Sequence, residues 1–338
     1  MKTKIHGVFA GLLLSFAALP ASALDILLTN DDGFETPYIQ VLYTTLVAAG
    51  HHVVMSAPYL GQSGSGGEVT FLQPIQATSE PSEGGLIPAG SPGVGQTTIA
   101  AFQYYVDGSP VDALMYGIDV ASPAVFGRWP DLVISGPNEG NNTGLNTPHS
   151  GTLGAAVAAL NKGIPAIAVS AGRLDGTPGE PELIAALTLK VVASVDGRHG
   201  IRLPEGIGLN VNIPDVDVVP ATDVKDEMSF ELTRVGIASV VGYHFYEDIG
   251  DSAIANIVGI PPGIGLPGLS VDRPYTAAGY PEDRSRRSEQ NALDDLTVTV
   301  SAIQGTYAAD RHQERRVRSS LKSLFHPKRS GRPYEDDD

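Results

Sequence analysis

Ile26-Leu27-Leu28-Thr29-Asn30-Asp31-Asp32-Gly33 reads as a short apolar strand stopped by Asn, Asp and Gly. A run of this length and composition fits a strand buried on both faces, as in a parallel sheet. Working outward, Ile39, Leu42, Leu46 and Val47 recur at helical spacing, and Gly50 stands where a helix C-cap would sit. His52-Val53-Val54-Met55-Ser56 supplies a second strand, halted by Pro58. Strand, helix, strand in about 30 residues is a βαβ unit, whose crossover is expected to be right-handed.

A second unit follows the same grammar. Asp131-Leu132-Val133-Ile134-Ser135 is a strand that enters a loop rich in Gly and Asn. Residues 151–162 read as a helix ending at Gly163, and 166–170 as the next buried strand. A helix over 182–195 and a strand over 208–213 complete an expected α/β domain over residues 24–214. The architecture is a Rossmann-like three-layer fold with a mostly parallel sheet. Residues 215–292 are rich in Gly, Pro and charge, with a Pro/Gly segment at 259–267, and read as an irregular or hairpin-bearing excursion from that sheet. With a strand over 295–303 and an amphipathic helix over 309–325 they make a C-terminal extension, 215–325. The polar tail 326–338 is expected to be disordered. There is no internal repeat.

The amino terminus carries a different signal. Lys2 and Lys4 precede an apolar run from Val8 to Leu19, followed by Pro20-Ala21-Ser22-Ala23. This is the pattern of a secretory leader over 1–23, with cleavage near Ala23 into a periplasmic or secreted protein. The apolar run is too short for a membrane anchor, since a spanning helix needs about 20 residues, and no later segment is long and apolar enough. The formal net charge is -16. That argues against a nucleic acid polymer as partner, because such proteins neutralise phosphates with clustered Lys and Arg. A small phosphate ester remains compatible if a metal ion supplies positive charge locally. The chain has no cysteine, which excludes disulfides, thiolate catalysis and Cys-based zinc sites.

Three polar loops follow strands and should emerge at the carboxyl end of the sheet, where open α/β sheets bind ligands. They are Asn30-Asp31-Asp32-Gly33, Gln62-Ser63-Gly64-Ser65-Gly66-Gly67, and Ser135-Gly136-Pro137-Asn138-Glu139-Gly140-Asn141-Asn142. Adjacent aspartates raise each other's pKa, and a divalent cation relieves that cost. Asp31, Asp32, Ser63 and Asn138 would form an oxygen-only ligand set suited to Mg, Mn or Ca. Taken singly, each of these residues is also an ordinary turn former. Ser150-Gly151-Thr152 opens the second helix, and a helix N-terminus attracts anions; Ser150 or Thr152 could equally be a plain N-cap, and the two roles are compatible. His149, beside that step, could donate a proton or merely cap the loop. Asn141-Asn142-Thr143 is formally a glycosylation sequon, but its place within the presumed site argues against modification. No GxSxG elbow, P-loop, HExxH or complete dinucleotide fingerprint occurs.

In order along the chain, these pieces resemble the SurE family of survival-protein nucleotidases and acid phosphatases. The resemblance rests on 26–33, Ser63-Gly64-Ser65-Gly66, 131–142 and Ser150-Gly151-Thr152, supported by Gly108-Ser109-Pro110-Val111-Asp112, 164–170 and 209–214. It is good from about Asp25 to Pro214 and weak over 215–292. Pro137 and Glu139 depart from the family pattern. The resemblance implies hydrolysis of nucleoside 5′- or 3′-monophosphates and other small phosphate monoesters, with one Mg or Mn ion per subunit. It places metal ligands on Asp31, Asp32, Ser63 and Asn138, and phosphate contacts on Asn142, Ser150, Gly151 and Thr152. Asp31 or Asp32 would take the proton of the attacking water. The resemblance also implies a homodimer or homotetramer with exchanged carboxyl-terminal parts, which would suit 215–325. Competing expectations are an exported, non-catalytic binder of a metal or phosphorylated ligand, and an interaction protein whose oligomeric surface matters.

Overall fold

The computed structural model describes residues 23–172, 178–198, 200–215, 228–257 and 259–321. Apart from Ala23, the expected leader lies outside the described residues, as does the polar tail 326–338. The opening stretch forms β1 (Asp25–Thr29), buried at every position. It is followed by α1 (Pro37–Ala48) and β2 (His52–Pro58), the expected βαβ unit. Then come β3 (Val94–Gln96), β4 (Gln103–Val106), α2 (Pro110–Tyr116), α3 (Ser122–Phe126) and β5 (Leu132–Glu139). The second unit continues through α4 (Gly151–Asn161), β6 (Ala166–Ala171), α5 (Glu180–Val195) and β7 (Ile207–Ile213). The C-terminal part supplies β8 (Phe230–Thr233), β9 (Gly242–Tyr246), α6 (Ala253–Ile257), β10 (Gly268–Asp272), α7 (Glu289–Leu293), β11 (Val298–Gln304) and α8 (Arg311–Ser320).

Nine strands form one sheet in the order β3-β4-β2-β1-β5-β6-β7-β11-β8. The pairings from β4 to β7 are parallel, and β3 and β11 join antiparallel to their inner neighbours. β1 lies at the centre because its residues are apolar toward both faces. Ile26 and Leu28 pack with Ile39, Leu42 and Leu46 of α1 and with Leu183 and Leu187 of α5. Leu27 packs on the other side with Leu114 of α2 and Ala155, Ala156 and Ala159 of α4. Helix, sheet, helix makes the three-layer α/β fold. β1 pairs with β2 on one side and β5 on the other, so the strand order reverses at β1/β5. That reversal is where such sheets hold ligands.

Several expectations need correction. Val47 is 46% exposed and lies outside the buried stripe of α1. The stretch 136–139, read as loop, continues β5. There the register shifts between Ser135 and Asn138, and Gly136 has φ +123 with a Cβ position only 2.1 Å from the Val169 carbonyl oxygen. Only glycine fits that crossing. The 215–292 excursion does contain a hairpin, β9 with β10, yet β8 returns to the main sheet and pairs parallel with β11. Leu296 is exposed and the last strand starts at Val298. Of the helix expected over 309–325, residues 311–320 form α8, with no buried residue in the single chain, and 322–325 lie outside the described residues.

Leu28→Ala should lower stability by about 2–5 kcal/mol, the usual range for emptying a packed core position, because Leu28 is fully buried in the central strand. Urea denaturation followed by circular dichroism checks this.

Candidate active site

The site forms where the turn after β1 meets the first turn of α4. Asp31 is 2% exposed, and its Oδ1 accepts a hydrogen bond of 2.5 Å from the Thr152 hydroxyl. The backbone amides of Thr152 and Gly151 also favour its charged form. The helix N-terminus thus already faces an anion, the Asp31 carboxylate. Close approach depends on Gly151, whose Cβ position lies 2.8 Å from Asp31 Cβ and 2.9 Å from Ser65 Oγ. Ser150 is the N-cap of α4, its Oγ accepting from the Leu153 amide at 3.2 Å. Of the two roles weighed for the Ser150-Gly151-Thr152 step, capping is therefore visible in the structure.

The other two loops close on this turn. The Gln62 amide donates to the Asp31 carbonyl at 2.7 Å, and the Gly66 amide donates to the His149 carbonyl at 3.1 Å. Ser63 follows Gln62 directly, and its side chain is exposed. From β5, the Glu139 amide donates to Asp32 Oδ2 at 2.9 Å. Asn138 is mostly buried and its amide donates to the Gly140 carbonyl at 2.6 Å. Asn142 donates from Nδ2 to Thr152 Oγ1 at 3.3 Å and to Ser170 Oγ at 3.0 Å. Direct hydrogen bonds therefore join Asp31, Thr152 and Asn142, whereas Asp32 and Asn138 are joined through the β5 backbone and Ser63 through its neighbour Gln62. His149 presents its ring edge-on to Tyr243, centroids 4.8 Å apart. The Asn141 side chain of the sequon is engaged with the Ile213 carbonyl at 2.9 Å.

The electrostatics are dominated by uncompensated negative charge. Burial raises the Asp31 carboxyl to about 6. Burial, the neighbouring Asp31 charge, Glu139 and Glu83 raise Asp32 to about 7, against the opposing Glu139 amide. Among the described residues no Lys, Arg or His pairs with either aspartate. The donors fit a hard divalent cation: two carboxylates with hydroxyl and amide oxygens nearby. No group of three or more His, Cys, Asp or Glu that could hold a metal exists among the described residues, so a cation here would draw on Ser or Asn oxygens as well. The buried Ser65 Oγ, left without a partner beside Gly151 and Asp31, is consistent with a further polar occupant.

Reading by sequence missed Ser65, Ser170, Asn210 and Asn212. The signal was available in β7, where Asn210 and Asn212 alternate on one face of an otherwise apolar strand. Two fully buried amides on one face are costly unless something polar sits opposite them.

The family described as "Survival protein SurE" matches residues 26–241. An acid phosphatase of Yarrowia lipolytica is 36% identical over 235 residues, covering 65% of this chain and 65% of its own length. The 5′-nucleotidase SurE of Desulfatibacillum aliphaticivorans is 35% identical over 226 residues, covering 67% of this chain and 77% of its own. The chain thus spans just under two thirds of the acid phosphatase and about three quarters of that nucleotidase. The crystal structure of the SurE protein from Aquifex aeolicus aligns with a TM-score of 0.62 at 26% identity, over 89% of this chain and 99% of that one. The matched segment contains every one of Asp31, Asp32, Ser63, Asn138, Asn142, Ser150, Gly151 and Thr152, and the chain belongs to the SurE family.

Proposed function

We propose that this chain is a divalent-metal-dependent phosphomonoesterase acting on small esters, nucleoside 5′- and 3′-monophosphates first among them. The observation that carries the reading is the Asp31–Asp32 turn, clamped between Thr152 Oγ1 and the Glu139 amide at the strand-order reversal. The relatives named acid phosphatase and 5′-nucleotidase support it. Asp31, Asp32, Ser63 and Asn138 would hold one Mg or Mn ion per subunit. Once bound, that ion would place positive charge against phosphoryl oxygens and lower the pKa of a coordinated water.

The chain's own residues do the rest. Thr152 fixes the orientation of Asp31 by donating to one of its oxygens. The Glu139 amide fixes Asp32 by donating to Oδ2, and Asp31 or Asp32 would take the proton of the attacking water. Gly151, Ser150 and Thr152 at the helix start, with Asn142, would border the phosphate, which would have to draw the Thr152 hydroxyl from Asp31 and Asn142 Nδ2 from Thr152 or Ser170 to be held by those side chains. Phosphoryl transfer needs mainly positioning and charge stabilisation, so no covalent nucleophile is invoked. The leader supports export, with cleavage near Ala23 into the periplasm or the medium. The exposed α8 and the C-terminal part it ends support assembly into a homodimer or homotetramer.

Hydrolysis of p-nitrophenyl phosphate and of 5′- and 3′-nucleotides should vanish with EDTA and return with Mg or Mn. Asp32→Asn should cut kcat by roughly 10²-fold or more, the usual cost of losing one oriented charge-stabilising group. Turnover near wild type in a folded Asp32→Asn variant contradicts the mechanism. Metal-free protein should also show a pH signature. Because folding raises both carboxyl pKa values, the folded state holds protons that the unfolded chain releases. Stability should therefore fall as pH rises from the ordinary aspartate value of 3.8 through about 7. Thermal melts in EDTA should show this slope, and added Mn should flatten it.

A further inference from the structure

The C-terminal part contributes one buried carboxylate that the proposed chemistry does not use. Glu289 opens α7 and is fully buried. Its Oε1 accepts from the Gly144 amide at 3.0 Å. Its Oε2 accepts from Asn210 Nδ2 at 3.0 Å and from the Ser301 hydroxyl at 2.8 Å. Three donors converge on it and no cation pairs with it among the described residues. A buried carboxylate is tolerable with such a set, because each donor offsets part of its lost hydration.

The partners of Glu289 lead directly to the candidate site. Asn210 Nδ2 also donates to the Asn142 carbonyl at 3.0 Å, and Asn212 Nδ2 donates to the same oxygen at 3.1 Å. Asn212 Oδ1 accepts from the Asn142 amide at 2.8 Å. Both backbone groups of Asn142 are therefore held by side chains of β7. Asn142 Nδ2 in turn reaches Thr152 Oγ1, which donates to Asp31. The neighbouring residue repeats the link, since the Thr143 hydroxyl donates to Gln290 Oε1 at 2.7 Å. An unbroken chain of hydrogen bonds runs from Glu289 through Asn210, Asn142 and Thr152 to Asp31.

The sheet explains why these groups share a level. Ser301 pairs in register with Asn210 and with Thr233 across β7, β11 and β8. All three are buried, and the Thr233 and Ser301 hydroxyls lie 2.8 Å apart. Ser301 gives its one hydrogen to Glu289, so Thr233 is the donor to Ser301. Glu289 is thus the acceptor on which this polar row terminates, lying over it opposite the loop 141–144.

We propose that Glu289 is a positioning residue of the active site: from the C-terminal part of the chain it fixes the Asn142–Gly144 turn and, through Asn142 and Thr152, the orientation of Asp31. The proposal rests on the phosphomonoesterase reading for its kinetic consequence, and not for its structural one. Glu289→Gln keeps size and shape but places an amide donor against groups that are themselves donors. The expected results are faster hydrogen exchange at the amides of Asn142 and Gly144, and a rise of at least about tenfold in the inhibition constant of inorganic phosphate together with a comparable fall in kcat, as leaving buried donors unmatched typically costs. Thr233→Val, at the far end of the same row, should lower the melting temperature and leave both kinetic constants within about twofold.

If Glu289→Gln does not fold, Ser301→Ala removes only one of the three donors and should move the same readouts in the same direction by about threefold. Unchanged exchange at 142 and 144, or a phosphate inhibition constant that follows the melting temperature equally in Glu289→Gln and Thr233→Val, overturns the proposal. Wild-type protein that neither turns over phosphomonoesters nor binds phosphate would sink the activity reading instead, and amide exchange would still decide the role of Glu289.

Discussion

The hydrogen bond from the Thr152 hydroxyl to Asp31 is the constraint on which the rest of the molecule turns. Asp31 is almost wholly buried, next in sequence to a second acid, and among the described residues no cationic side chain pairs with either. Such an arrangement is costly unless donors converge on it. The first turn of α4 supplies them, from one hydroxyl and from amides that point along the helix axis. The loop after β2 and the end of β5 close on the same turn, through the Gln62, Gly66 and Glu139 amides.

That geometry follows from packing before it follows from chemistry. A strand that is apolar on both faces is driven to the middle of the sheet, and the chain after it is drawn out to one side and then the other. The polar turn at its end is left at the reversal, against the start of α4, whose glycines permit close contact. Gly151 and Gly136 are both placed where a single added carbon would meet neighbouring atoms at well under van der Waals distance. The proposed cation would relieve an imbalance this packing creates, which is concentrated negative charge in a partly dry site.

Much of this is legible in the amino-acid sequence because it is local. The apolar run before Asp31, the helical spacing of Ile39, Leu42 and Leu46, and the Gly163 stop after α4 each encode an element without reference to distant residues. Features that depend on distant partners are not legible in the same way. β4 is short and is held between β2 and β3; β8 carries three exposed residues and is a strand only because β11 runs beside it. The continuation of β5 past Pro137 defies the turn chemistry of its own residues, since Asn138 and Glu139 find partners on β6. Within the site, Asp31, Asp32 and the helix start were marked by their own residue types. Glu289 was not, and Asn210 and Asn212 were marked only by their alternation along β7, because what they do lies in hydrogen bonds to Asn142 and Gly144 that span 68 to 145 positions of sequence.

The most direct test of the account is where a cation sits. Crystals soaked in Mn and measured for anomalous scattering should show one peak per chain within about 2.0–2.6 Å of carboxylate oxygens from Asp31 and Asp32, the range for hard cations on oxygen ligands. A fully occupied Mn peak elsewhere, with none at this turn while Mn still restores hydrolysis, would contradict it.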